Sequence, residues 1–136
     1  MKTLVIFYSY SGKTKALATE YAKKESFDIT EIEDVRRPCK LKAYVGGILA
    51  VIRGKAWPAK PIEADWTAYD RIALFAPVWA DNPPPVVLSA LTQLPQGKTV
   101  DVKMVSASGK SNCKERLEAA INAVDSVLGE LEDIKA

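Results

Sequence analysis

Hydrophobic positions along this chain come in two alternating patterns. "TLVIFYS" (3–9) is continuous and rich in β-branched and aromatic residues, as in a strand buried on both faces. From Gly12 the period changes. Thr14, Leu17, Ala18 and Tyr21 fall at i, i+3, i+4 and i+7, which predicts a helix to about Lys24. "FDITEI" (27–32) alternates like a half-buried or edge strand, and 41–54 is compatible with a helix. Gly46 and Gly47 weaken that helix by roughly 1 kcal/mol each. "RIALFAPV" (71–78) is a second buried strand, followed by the irregular "WADNPPP", whose last proline suits the first turn of a helix. Val87, Ala90, Leu91 and Leu94 resume helical spacing. Gly97 then turns the chain into "TVDVKMVS" (99–106), a third clear strand. Asn112 and Glu115 form a capping-box pattern ahead of Leu117, Ile121, Val124 and Leu128, which predicts a long amphipathic helix.

Strand–helix alternation of this kind predicts an α/β fold: a doubly wound parallel sheet with right-handed crossovers and helices on both faces. Such sheets bind ligands beyond the C-terminal strand ends, where the strand order reverses. The loops of interest are therefore 9–14, 78–85 and 106–112.

Composition narrows the chemistry. A chain of 136 residues, 48% hydrophobic and 26% charged, is expected to form one soluble domain over 1–136. The run "YVGGILAVI" (44–52) is less than half of the ~20 residues that span a bilayer, and the apolar run after Lys2 is too short for a signal peptide. A cytoplasmic protein without membrane association is expected. Histidine is absent, which excludes His-based triads and His-ligated zinc, and Cys39 and Cys113 form no metal-spaced cluster. No metal site is expected, and each cysteine reads best as a small buried residue. The net charge of +2 is unevenly spread. Arg36, Arg37, Lys40, Lys42, Arg53, Lys55 and Lys60 fall in 36–60 with no acidic residue, and the balance after Pro61 is acidic. That asymmetry is too small for a nucleic-acid-binding protein.

The loop "SYSGKT" (9–14) ends like a nucleoside-triphosphate loop, but that motif needs a glycine at position 7, where Phe7 stands. The strand over 71–78 also lacks a terminal aspartate for magnesium. What remains is Ser9, Ser11 and Thr14 around Gly12 at the opening of a helix. Hydroxyls, amides and the positive helix end favour an anion there, the dipole contributing roughly 0.3–2 kcal/mol. These donors suit a phosphate monoester, with Lys13 adding a charge; a serine-capped helix start without ligand is the plainer alternative.

Ser9-Tyr10-Ser11-Gly12-Lys13-Thr14 resembles the phosphate loop [TS]-x-[TS]-G-x-T of the flavodoxin-like family, and "YDRIALFAPVWADNPPPVVLSAL" (69–91) resembles its short-chain members. The resemblance runs in order from Thr3 to about Leu128 and implies a flavodoxin-like, three-layer α/β/α fold. It also implies flavin mononucleotide (FMN), with the phosphate on Ser9, Ser11, Gly12, Lys13 and Thr14 and with Tyr10 either over the other ring edge or exposed to solvent. The isoalloxazine ring would lie between the second loop (Pro77, Val78, Trp79, Ala80, Asp81, Asn82) and the third (Ser106, Ala107, Ser108, Gly109). Trp79 would stack on the ring. No side chain is an evident catalytic residue; Asp81, the nearest candidate, reads as the end of a turn.

Three departures from the family stand out. Many flavodoxins carry glycine after the stacking aromatic, where Ala80 stands here. A left-handed backbone at alanine costs roughly 1–2 kcal/mol, so weak stabilisation of a half-reduced flavin is expected. The usual strong acidity is missing, and 36–60, with Tyr44 and Trp57 among its charges, would attract an acidic redox protein or a pyridine nucleotide, or else form a solvated helix face beside the sheet. Finally, "GELEDIKA" offers a short strand at most, so the fold is expected to stop after its fourth helix. Asp101 and Lys103 alternate with Val100, Val102 and Met104, a polar face that a missing helix explains and that a partner subunit in a homodimer would also cover. The reading is an FMN-binding protein in electron transfer, as carrier or small oxidoreductase. Its rival is a flavin-free interaction module of the same fold that uses 36–60. A response-regulator receiver domain shares the architecture but needs acidic residues that 7–10 lack.

Overall fold

The structure, a computed structural model, describes residues 2–34 and 58–136. The helix expected over 41–54, Cys39, Tyr44, Trp57 and all of the basic stretch except Lys60 and its neighbours Pro58 and Ala59 lie outside the described residues. Strands β1 (Lys2–Phe7), β2 (Asp28–Glu31), β3 (Tyr69–Pro77), β4 (Thr99–Ser106) and β5 (Val127–Lys135) form one sheet in the order β2-β1-β3-β4-β5. Every pairing in it is parallel. Helices α1 (Lys13–Glu25), α2 (Pro85–Leu91) and α3 (Lys114–Asn122) follow β1, β3 and β4. The architecture is the expected doubly wound, three-layer α/β/α.

Strand parity distributes the core. Leu4, Ile6, Ile72, Leu74, Ala76, Val100, Val102 and Met104 face α2 and α3, packing on Val86, Val87, Leu91, Leu117 and Ile121. Val5, Phe7, Ala73 and Phe75 point the other way, onto Ala18 and Ala22 of α1. Each fully buried aliphatic side chain contributes roughly 1.5–3 kcal/mol, which is why β1 and β3 read as unbroken apolar runs. None of the helices among the described residues is long and apolar enough to cross a membrane.

The C-terminal third departs most from expectation. Helix α3 stops at Asn122 and Leu128 lies in β5, so the helical period of Val124 and Leu128 is accidental. Asp125 takes φ 58, and the N–H groups of Asp125 and Ser126 donate to Asn122 O and Ile121 O, a Schellman ending without glycine. Buried Ser126 then accepts from Lys98 N–H (3.0 Å) and donates to Pro95 O (2.8 Å), starting β5. The capping box is also absent. Cys113 is the N-cap residue with no side-chain cap, and the Asn112 N–H that a capping box would give to Glu115 goes to Asp81 O. The fifth strand is nine residues long, not a short remnant.

Strand β4 is polar on the α1 side because its charges pair across strands. Arg71 Nε and Nη2 donate to Asp101 at 2.6 and 3.1 Å, and Lys103 Nζ donates to Glu132 at 2.6 Å while lying 5.4 Å from the Tyr21 ring centre. Asp101 also accepts the Glu130 N–H at 2.9 Å, within an irregular stretch of the β4–β5 ladder. A side chain at residue 129 would meet the Asp101 carboxylate and have to displace it from its hydrogen bonds, which favours Gly129 there. Burial alone would raise the Asp101 pKa. Hydrogen bonds from Arg71 and the Glu130 N–H, with the Arg71 and Lys103 charges, bring it below the ordinary carboxylate value.

A carboxylate depressed in this way stabilises the fold above its unfolded pKa, and that contribution is lost as pH falls through the folded value. Denaturant titrations should therefore show stability dropping below about pH 4. Asp101→Ala should flatten part of that slope and cost about 1–2 kcal/mol at neutral pH, kept modest because Arg71 is 47% exposed. A variant with the wild-type acid limb and midpoint would show that the pairs are energetically idle.

Candidate functional site

Loops leave the C-terminal ends of β1, β3 and β4, which are adjacent in the sheet. The chain steps outward from β1 to β2 and then returns to β3 on the other side, so the strand order reverses between β1 and β3. The first two loops flank that reversal, where open α/β sheets bind ligands.

The first loop is a tight turn into α1. Ser9 is buried and its Oγ accepts the Gly12 N–H at 3.0 Å. Gly12, the N-cap residue, has φ 101, and a Cβ there would meet nothing within 4 Å. Its constraint is therefore the left-handed backbone, and the space above the loop is open. The first-turn amides of Lys13, Thr14 and Lys15 have no acceptor within the helix by geometry. Thr14 is buried, while Ser11 and Lys13 are exposed beside them. Hydroxyls, amides and a lysine at a helix N-terminus suit an anionic oxygen cluster.

The second loop is a two-residue turn. Trp79 and Asn82 exchange backbone hydrogen bonds of 2.8 and 2.9 Å, and between them Ala80 and Asp81 have φ 48 and 62, the signs of a type I′ turn. The left-handed backbone that disfavours alanine is thus present at Ala80. It is held from outside: Asn82 Nδ2 donates to Ala80 O at 2.7 Å, and Asn112 N–H to Asp81 O at 3.1 Å. The Cys113 thiol, 3.5 Å away, also points to Asp81 O. Burial pushes the Cys113 thiol pKa up, against a smaller opposing effect of Ser111, so it stays protonated and acts as a small buried donor. Half-buried Trp79 meets the edges of Tyr8 and Tyr10 at ring-centre distances of 6.0 and 6.3 Å, inclined 74° and 78°. Such T-shaped contacts orient an aromatic ring.

The third loop is built on hydroxyls. Ser106 Oγ accepts the Gly109 N–H at 3.0 Å and Ser108 Oγ accepts the Lys110 N–H at 3.2 Å, with Ala107 and Ser108 exposed. The Val78 N–H donates to Val105 O at 3.1 Å, carrying the β3–β4 ladder past Pro77.

The structure therefore brings together the three predicted groups. Tyr10 links 9–14 to Trp79, and Asp81 links 77–82 to the segment after 106–109. Sequence reasoning missed Tyr8, Asn112 and Cys113. Tyr8 was legible, since it shares parity with Leu4 and Ile6 and must face away from α1 at the mouth of the site. The Asn112 and Cys113 contacts join positions about thirty residues apart and had no local signal. Among the described residues no cluster of three or more Cys, Asp or Glu is placed to hold a metal ion.

No protein-family model matches this chain, and no curated protein matches it in sequence. Its fold does match solved structures. A flavoprotein from Lactobacillus acidophilus NCFM in complex with FMN aligns with a TM-score of 0.77 at 20% identity, over 97% of this chain and 93% of that one. The apo form of the flavoprotein from that organism aligns at 0.70, with 20% identity over 97% and 91%. A flavodoxin from Streptococcus pneumoniae TIGR4 aligns at 0.57, with 14% identity over 99% and 85%. The chain has the flavodoxin-like fold.

Glycine adopts positive φ without the alanine penalty but loses more entropy on folding. Ala80→Gly should therefore raise stability by about 0.5–1 kcal/mol in denaturant melts. A loss of stability would show that the surrounding hydrogen bonds leave no strain at this residue.

Proposed function

We propose that this protein binds FMN and serves in electron transfer, as a carrier or as a small flavin oxidoreductase. The observation that carries the reading is the pairing, across the point of strand reversal, of an open hydroxyl and amide loop with a half-buried tryptophan on a rigid turn. FMN has this polarity, with a phosphate at one end and a flat ring at the other. The fold shared with an FMN-bound flavoprotein supports it further.

In this reading Ser11, Thr14 and Lys13, with the first-turn amides, hold the phosphate, while Ser9 and Gly12 shape the loop. Trp79 would cover the ring and exclude water from it. Pro77, Val78 and the 80–82 turn would line the ring site, and Ser106, Ala107, Ser108 and Gly109 would offer it hydroxyls and amides. Bound FMN supplies the redox chemistry, and the protein's groups bind and orient it. The redox partner would be a protein or a pyridine nucleotide drawn by the basic stretch 36–60.

The purified protein should be yellow, or should quench added FMN fluorescence stoichiometrically. Ser11→Leu or Thr14→Leu should weaken FMN by about tenfold or more, on the scale of one or two charge-assisted hydrogen bonds, while leaving riboflavin affinity nearly unchanged. A colourless protein that leaves FMN fluorescence untouched would favour the flavin-free interaction module.

A further inference from the structure

We infer that Tyr8, anchored by Asp34, is a positioning residue that sets the orientation of Trp79 and through it the fit of the flavin ring. The inference rests on the FMN reading above and adds to it a layer of the site behind the tryptophan.

Tyr8 is fixed at both ends. Its N–H donates to Phe75 O at 3.0 Å, so its backbone is locked to β3 although it lies beyond β1. The side chain is 1% exposed, and its O–H donates to Asp34 Oδ2 at 2.9 Å. A buried phenol needs such a partner. Asp34, at 8% exposure, is buried as well, and its Oδ2 supplies the acceptor that the phenol needs. The backbone also places Asp34, through a bridge to Ala59 and a Lys60 N–H bond to Glu33 O of 2.8 Å next to it. Between these anchors the Tyr8 ring meets Trp79 nearly at right angles.

Tyr10 and the turn support Trp79 in a different way. Tyr10 sits on the first loop, half-buried, and the turn after Trp79 holds two exposed residues in left-handed backbone. Tyr8 instead ties the indole to the packed core formed with Ile6, Ile32 and Ala76. Its hydroxyl is taken up by Asp34, and the effect inferred for this pair on the flavin runs through Trp79.

That arrangement predicts a particular pattern of losses. Tyr8→Phe and Asp34→Ala should weaken FMN and riboflavin by the same factor, about 3- to 10-fold, because the effect lies at the ring end. Asp34→Asn keeps an acceptor for the phenol and should bind within about twofold of wild type. In a Trp79→Leu background, Tyr8→Phe should change affinity by less than about twofold, a non-additivity that general destabilisation does not produce. The visible circular dichroism of bound FMN should change in Tyr8→Phe and match that of wild type in Asp34→Asn. Fluorescence titrations at a temperature where far-UV dichroism shows each variant folded supply the affinities. If Tyr8→Phe does not fold, the contrast between Asp34→Ala and Asp34→Asn tests the same link. Equal losses in both Asp34 variants, additive losses with Trp79→Leu, or unchanged binding in Tyr8→Phe overturn the inference. If the wild-type protein binds neither flavin, the FMN reading itself falls and this inference with it.

Discussion

Residues Val5 to Phe7 of β1 lie in register with Ala73 to Phe75 of β3, and both strands are covered on both faces. Much of the rest of the structure depends on that register. Sliding β3 by one residue would exchange the set facing α1 for the set facing α2 and α3, so the core admits a single alignment. The alignment ends β1 at Phe7, opposite Phe75, while β3 runs on to Pro77. Tyr8, one residue past β1, can then meet Trp79, two residues past β3. The crevice is thus a product of strand pairing; the loops line it but do not define its place.

Strain and support at the mouth of the crevice are arranged across loops. Ala80 and Asp81 hold positive φ in a turn whose carbonyls take hydrogen bonds from Asn82, Asn112 and Cys113. Two of those donors come from the segment after β4, so the second loop is shaped partly by the third. The local sequence gives an alanine no reason to be left-handed. The neighbouring loop supplies one.

The sheet and its order of strands and helices were legible because their determinants are local. Burial on both faces marks β1 and β3, and the change of period at Gly12 marks α1. The site was legible in outline for the same reason, since hydroxyls spaced around a glycine and an aromatic after a buried strand are visible in short windows. What escaped was settled over distance. Helix α3 ends at Asp125 through backbone bonds that no glycine announces, and β5 forms because Ser126 finds partners in Pro95 and Lys98. The polar face of β4 suggested absent cover. Charges on β3 and β5 pair with those of that face.

Strand β5 closes one side of the sheet, and along its nine residues Glu130, Glu132, Asp133 and Lys135 are exposed. A free edge presents unsatisfied backbone groups on which another extended chain can add. Three carboxylates in four positions make such an addition repulsive between like copies, because stacking one β5 on another would set acidic side chains close together. The irregularity at Gly129 interrupts the straight run of backbone that a docking strand would need. Glu132, which pairs with Lys103, and Glu130, whose N–H binds Asp101, are therefore also among the residues that disfavour strand addition at this rim.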